Sequence, residues 1–148
     1  MLELRDVTRA AGREPVLSRA SLALSRDVPT AIVGLSAYER EVLLKLLAGA
    51  ERPQAGSIKL DGKDIAQARR EKGRVARIDA HGLPKSGQKG AKIAGSDAKV
   101  RQAIAKARAD RARLILLDAP SAGLGIETRE QIVADLGSRL ADTGAACV

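Results

Sequence analysis

The sequence predicts an α/β fold: a largely parallel sheet flanked by helices, with an antiparallel β flank at the N-terminal end. Three observations lead there. Short stretches that alternate apolar and polar residues fill the first third of the chain. Continuous apolar runs, "TAIVG" and "RLILLDAP", mark strands buried on both faces. Between and after these runs, apolar residues recur with helical spacing.

In chain order, "LELRDVT" and "VLSRASLAL" read as two half-buried strands, and "TAIVG" as a buried one. From Tyr38 to Ala48, Val42, Leu43, Leu44, Leu46 and Leu47 form a wide helical stripe, which Gly49 ends and Pro53 follows. "GSIKLDGKDI" is a strand running into an Asp-Gly turn at Asp61 and Gly62, and "RVARID" is a further strand. Residues 80–97, rich in Gly, Lys and Ser, predict a loop. Val100, Ala103, Ile104 and Ala107 then share one helical face, "RLILLDAP" is a strand closed by Pro120, and Ile132, Val133, Leu136 and Leu140 define another helix. The closing "AACV" reads as the beginning of a strand.

The 148 residues fit a single domain, 1–148, large enough to bury a core without metal or disulfide staples. That core must be aliphatic, because the chain has no Phe or Trp and one Tyr. The same lack removes the aromatic platforms on which nucleic-acid bases stack, so no specific nucleic-acid partner is expected. Cys147 is the single cysteine and can form no internal disulfide. No leader-like segment opens the chain and no apolar run approaches a bilayer span, so a cytoplasmic protein without direct membrane insertion is expected. The net charge of +8 is uneven: 14 Lys and Arg face 4 acidic residues between Arg69 and Arg113. That segment reads either as a solvated helical face or as a surface for an anionic partner.

The stretch "TAIVGLSAYEREVLLKLLAG" has the frame of a phosphate-binding loop: apolar run, glycine, short loop, helix. Such a loop works because glycines let backbone N–H groups converge on phosphate oxygens, a Lys supplies charge, and a hydroxyl binds Mg²⁺. Against the pattern GxxxxGK[ST], Gly34 is in place, whereas Glu39, Arg40 and Glu41 stand for the second glycine, the lysine and the hydroxyl. Two carboxylates therefore occupy the end of the helix where phosphate charge would sit. The segment alone is compatible with a nucleotide site and with an ordinary strand-to-helix turn.

The wider chain resembles the nucleotide-binding ATPase domain of ABC transporters, in the style of bacterial importer subunits. "MLELRDVTRAAGREPVLSRASLAL" resembles the family's opening strands, and "AIVGLSAYEREVLLKLLAGAERPQAGSIKLDGKDI" its phosphate loop, following helix and hairpin. "RLILLDAPSAGLGIETRE" resembles its second acidic motif and the loop beyond. The resemblance covers nearly everything outside residues 80–97. It implies a P-loop NTPase-like core, with 79–97 a loop or remnant of a reduced or missing helical subdomain. It further implies ATP and Mg²⁺ as cofactors, with Gly34, Leu35, Ser36, Ala37, Tyr38, Glu39, Arg40 and Glu41 facing nucleotide and Asp118 facing the metal. The implied partners are a second ABC ATPase subunit and transmembrane permease subunits, placing the protein in the cytoplasm, at the inner membrane through those subunits.

Most of the family's functional positions are altered. Ala11, just before Gly12, stands where the family usually places the adenine-stacking ring, and Asp79 where a Gln would contact Mg²⁺. Ala94, Gly95, Ser96, Asp97 and Ala98 occupy the signature motif, with Arg101 agreeing. Ala119 replaces the Glu that activates water, and Gly125 an Asp of the next loop. An alanine accepts no proton, so no catalytic residue is assigned and hydrolysis is expected to be slow or absent. The lone His81 reads as a solvated side chain, and "GLPKSGQK", a phosphate-loop look-alike, as a basic loop. Two principal functions stay open: an ABC-type ATP-binding subunit, or a non-catalytic scaffold pairing with an ATPase or membrane subunit. Binding of an anionic polymer by the basic segment is a third.

Overall fold

A computed structural model describes residues 1–25, 30–71, 74–79, 109–119 and 146–147, with the single positions 106, 130 and 134. The described elements are β1 (Leu2–Ala11), β2 (Glu14–Leu24), α1 (Ala37–Leu47), β3 (Ala55–Leu60), β4 (Lys63–Asp64), α2 (Ile65–Arg70), β5 (Val75–Asp79), β6 (Leu114–Asp118) and β7 (Ala146–Cys147). They form an antiparallel sheet of order β2-β1-β3-β4 and a parallel sheet of order β5-β6-β7.

Along β1 the register against its neighbours slips more than once, and the first slip is what keeps the strand amphipathic. Leu2 and Leu4 are buried, but the next buried residue is Val7 rather than Asp6. Asp6 adopts φ +47° where the register against β2 and β3 slips, so an extra residue resets the phase and keeps the carboxylate out of the core. The Asp-Gly turn forms as expected: Asp61 and Gly62 both take positive φ, +53° and +79°, and join β3 to β4.

Helix α1 buries Val42, Leu43, Leu44, Leu46 and Leu47. Gly49, at φ +65°, follows its C-cap Ala48. This stripe meets Leu2, Leu4 and Val7 of β1, Ile58 and Leu60 of β3, Ile65 and Ala68 of α2, and Leu114 and Leu116 of β6 in one aliphatic cluster. Ile115, between the last two, is also fully buried, so β6 is covered on both faces, as its apolar run predicts.

Two local readings are corrected. "TAIVG" is not a buried strand: residues 30–33 lie outside any strand and Val33 is 84% exposed. An apolar run signals burial without naming a ladder partner, and β6 already has β5 on one side and β7 on the other. Helix α2 was not anticipated; Asp64 caps it by accepting a hydrogen bond from the Ala66 N–H, and Ile65 and Ala68 supply a buried face. Apart from the helical positions 106 and 134, the helices expected around Val100–Ala107 and Ile132–Leu140 lie outside the described residues, as do the loop at 80–97, His81, the signature positions 94–98, Arg101 and Gly125.

Candidate functional site

The loop residue Gly34 takes φ +84° with open space around its Cα, and Leu35 tucks against the core cluster. Ser36 then caps α1. Its hydroxyl accepts from the Glu39 N–H at 3.2 Å, while the Glu39 carboxylate accepts from the Ser36 N–H at 2.7 Å, completing a capping box. The Ser36 side chain, as the larger cause, and the Ser36 backbone N–H hold the Glu39 carboxyl below the usual carboxylate range by hydrogen bonding to it. The Arg40 N–H is also spent, on the Ser36 carbonyl at 3.0 Å. Ala37 and Tyr38 open the helix exposed, Tyr38 by 57%.

Opposite the helix start, β6 delivers Asp118, whose side chain is only 8% exposed. Its Oδ1 accepts from Arg40 Nε at 2.8 Å, and its Oδ2 accepts from an Arg77 guanidinium nitrogen at 3.4 Å. Arg77 reaches it from β5, which lies parallel to β6 in the register that pairs Arg77 with Leu116 and Asp79 with Asp118. The same guanidinium nitrogen donates to Glu41 Oε2 at 2.5 Å. Arg77 lowers the Glu41 pKa chiefly through this bond, and Glu41 in turn raises that of Arg77, with Asp118 adding to the effect. The network continues outward: Lys45 lies 3.5 Å from Glu41 and 3.6 Å from Glu51, and Glu51 accepts from Arg9 at 2.7 Å.

The structure thus brings together Arg40, Glu41 and Asp118 from the sequence-predicted set, holds Ser36 and Glu39 in a separate local cap, and leaves Ala37 and Tyr38 at the surface. Arg77 was missed. Its signal was present in "RVARID", because a guanidinium inside a strand of a parallel sheet needs a carboxylate close by. Ala119, directly after Asp118, adopts φ +44°, a left-handed conformation that costs a residue with a Cβ. Among the described residues, no three or more His, Cys, Asp or Glu gather in a way that could hold a metal ion.

No family model matches the chain. Curated relatives do. The Fe(3+) ions import ATP-binding protein FbpC 1 of Rhodococcus jostii is 32% identical over 184 positions, covering 96% of this chain and 53% of that protein. The chain is similar to ABC transporter ATP-binding subunits along nearly its whole length. The spermidine/putrescine import ATP-binding protein PotA of Pseudomonas aeruginosa is similar at 27% identity over 183 positions, covering 97% of this chain and 50% of that one. The chain therefore spans about half the length of these ABC relatives. Both alignments are longer than the 148 residues of the chain, so each bridges a stretch that the relative has and this chain lacks.

Solved structures agree on the P-loop NTPase fold of ABC ATPase domains. CbiO1 from Clostridium perfringens, described as part of the ABC transporter complex cbiONQ, superposes with a TM-score of 0.76 at 16% identity, covering 99% of this chain and 76% of that one. An ATP-binding cassette solved as a dimer in a post-hydrolysis state with ADP and Pi gives a TM-score of 0.68 at 18% identity, over 100% and 87% of the two chains. No helix among the described residues is long and apolar enough to cross a membrane.

Proposed function

We propose that this chain serves an import-type ABC transporter as an ATP-binding-subunit-like domain whose phosphate site is closed by its own side chains, and that it works as a non-hydrolytic scaffold. The observation that carries this reading is the double engagement of Asp118 by Arg40 and Arg77. A magnesium–nucleotide site needs a free acidic oxygen for the metal, a free cation for the phosphates and backbone donors at the helix start. Here both Asp118 oxygens face guanidinium groups, Arg40 is committed to Asp118, and Glu41 is paired with Arg77 where a hydroxyl would be needed. The Glu39 N–H is taken by Ser36. The residues as arranged do not fit magnesium-bound triphosphate, and no hydrolytic step is derived through it.

A domain that keeps the family's sheets and core can keep the family's contacts, so its partners are a competent ABC ATPase subunit and the permease subunits, reached at the cytoplasmic side of the membrane. Calorimetric titration with Mg²⁺ and ATP tests it on the parent chain and on Glu39→Gly/Arg40→Lys/Glu41→Ser combined with Arg77→Met, which frees Asp118 from its second guanidinium. The parent should release no binding heat at millimolar nucleotide, and the fourfold variant should bind. Micromolar binding by the parent would refute the closed-site reading.

A further inference from the structure

Away from the helix start, a groove of about 410 Å³ lies between the chain that follows α1, strand β3 and helix α2. This volume falls within the range of small-molecule sites. Two arginines, Arg52 and Arg70, line it together with Ser57 and Gln67. Neither guanidinium has an ion-pair partner among the described residues, in contrast to Arg9, Arg40, Arg74 and Arg77.

Two carboxylates also line the groove, and both are already engaged. Glu51 holds Arg9 at 2.7 Å and Lys45 at 3.6 Å. Asp64 accepts the Ala66 N–H as the cap of α2. Glu51 is offset by Arg9 and Lys45 whereas Asp64 keeps its charge, so the local balance is two guanidinium groups against one carboxylate, beside one hydroxyl and one side-chain amide. That donor set suits a small oxyanion: planar guanidinium forks match phosphoryl and carboxylate oxygens, and Ser and Gln provide neutral donors at the rim. The backbone supports the shape. Gly56, which also lines the groove, sits at φ +82°, and a Cβ there would come within 2.3 Å of the Arg5 carbonyl oxygen, so β3 begins tight against β1.

We infer that this groove is a binding site for a small oxyanion, phosphoryl or carboxylate, held by Arg52 and Arg70. The site shares only Glu51 with the outer end of the Asp118 network and does not depend on whether that network admits nucleotide.

The experiment is a titration of the full chain with inorganic phosphate and, in a second arm, with citrate, at constant ionic strength kept by chloride and followed through the amide resonances of Gly56, Ser57 and Gln67. Saturable shifts confined to these amides are expected, together with a loss of about tenfold in affinity for Arg52→Ala or Arg70→Ala, and abolition in the double variant. Arg13→Ala, at the β1–β2 turn, should leave the titration unchanged. A response to phosphate alone marks a phosphoryl ligand, and a response to citrate alone a carboxylate one. Linear, unsaturable shifts, or shifts that survive the double variant, would overturn the assignment, because the +8 chain would then only be attracting anions diffusely.

Discussion

Replacing Arg40 and Arg77 by Met, singly and together, asks how much the Asp118 network stabilises the fold. Asp118 is 8% exposed and faces Arg40 at 2.8 Å and Arg77 at 3.4 Å. Coulomb attraction scales inversely with distance, so the two contacts differ by a factor of about 1.2 and either can partly satisfy the carboxylate alone. Breaking a buried pair outright costs about 3–5 kcal/mol, chiefly because a charge is left without a partner. The arginines themselves are 34% and 26% exposed, which places the net cost at the low end. Each single variant should therefore lose about 1–1.5 kcal/mol, and the double variant about 3–4 kcal/mol, more than the sum. With a urea m-value of about 2 kcal/mol/M, the midpoint falls by about 0.6 M for each single change and by nearly 2 M for the pair. Circular dichroism is the probe, since the chain has no Trp and its one Tyr, Tyr38, is exposed. Additive losses, or a double variant within about 0.5 kcal/mol of the parent, would refute the claim that the two arginines share one buried charge.

Three further outcomes follow from the same geometry. Gly56→Ala should cost about 2–4 kcal/mol in urea unfolding, because its Cβ meets the Arg5 and Asp6 backbone at 2.3–2.5 Å, whereas Gly34→Ala, at similar φ but in open space, should cost only about 1–2 kcal/mol. Ser36→Ala should remove about 1 kcal/mol of stability and return the Glu39 carboxyl toward its ordinary value, readable by NMR titration of that side chain. Glu39, Glu41 and Glu71 all have carboxyls lowered from 4.5 in the folded state, by bonds to Ser36, Arg77 and Lys63 respectively. Their stabilisation is present in full above the unfolded value and disappears as pH falls through the lower folded values, so acid unfolding should begin below about 4.5, and Arg77→Met should flatten that limb.

Much of the fold was legible because local signals and burial agreed. The stripe of α1, the Asp-Gly turn and the "LILLD" run each carry enough periodicity or turn chemistry to name their element without knowledge of the rest. "TAIVG" failed for the opposite reason: its hydrophobicity is strong, but strand formation depends on an available ladder edge, which no window of five residues contains. Helix α2 escaped because six residues give too little periodicity, although its Asp64 cap was visible. At the site, Arg40, Glu41 and Asp118, singled out by spacing, join one network in the structure, while Glu39 is held in a local cap. Arg77 stayed hidden because its meaning comes from the parallel register of β5 on β6, which sets it facing two carboxylates 36 and 41 positions away.

The sharing of Arg77 between Glu41 and Asp118 also bears on reversibility. Exchanging Glu41 for a hydroxyl alone strips Arg77 of its shorter contact and leaves Asp118 as its remaining partner. Restoring a lysine at Arg40 alone still leaves Arg77 on the same carboxylate. Every one-step route back toward a phosphate loop thus passes through a state in which some charge is poorly matched, so the arrangement behaves as a ratchet: easily retained by drift, and undone only by coordinated change at the start of the helix and on the neighbouring strand.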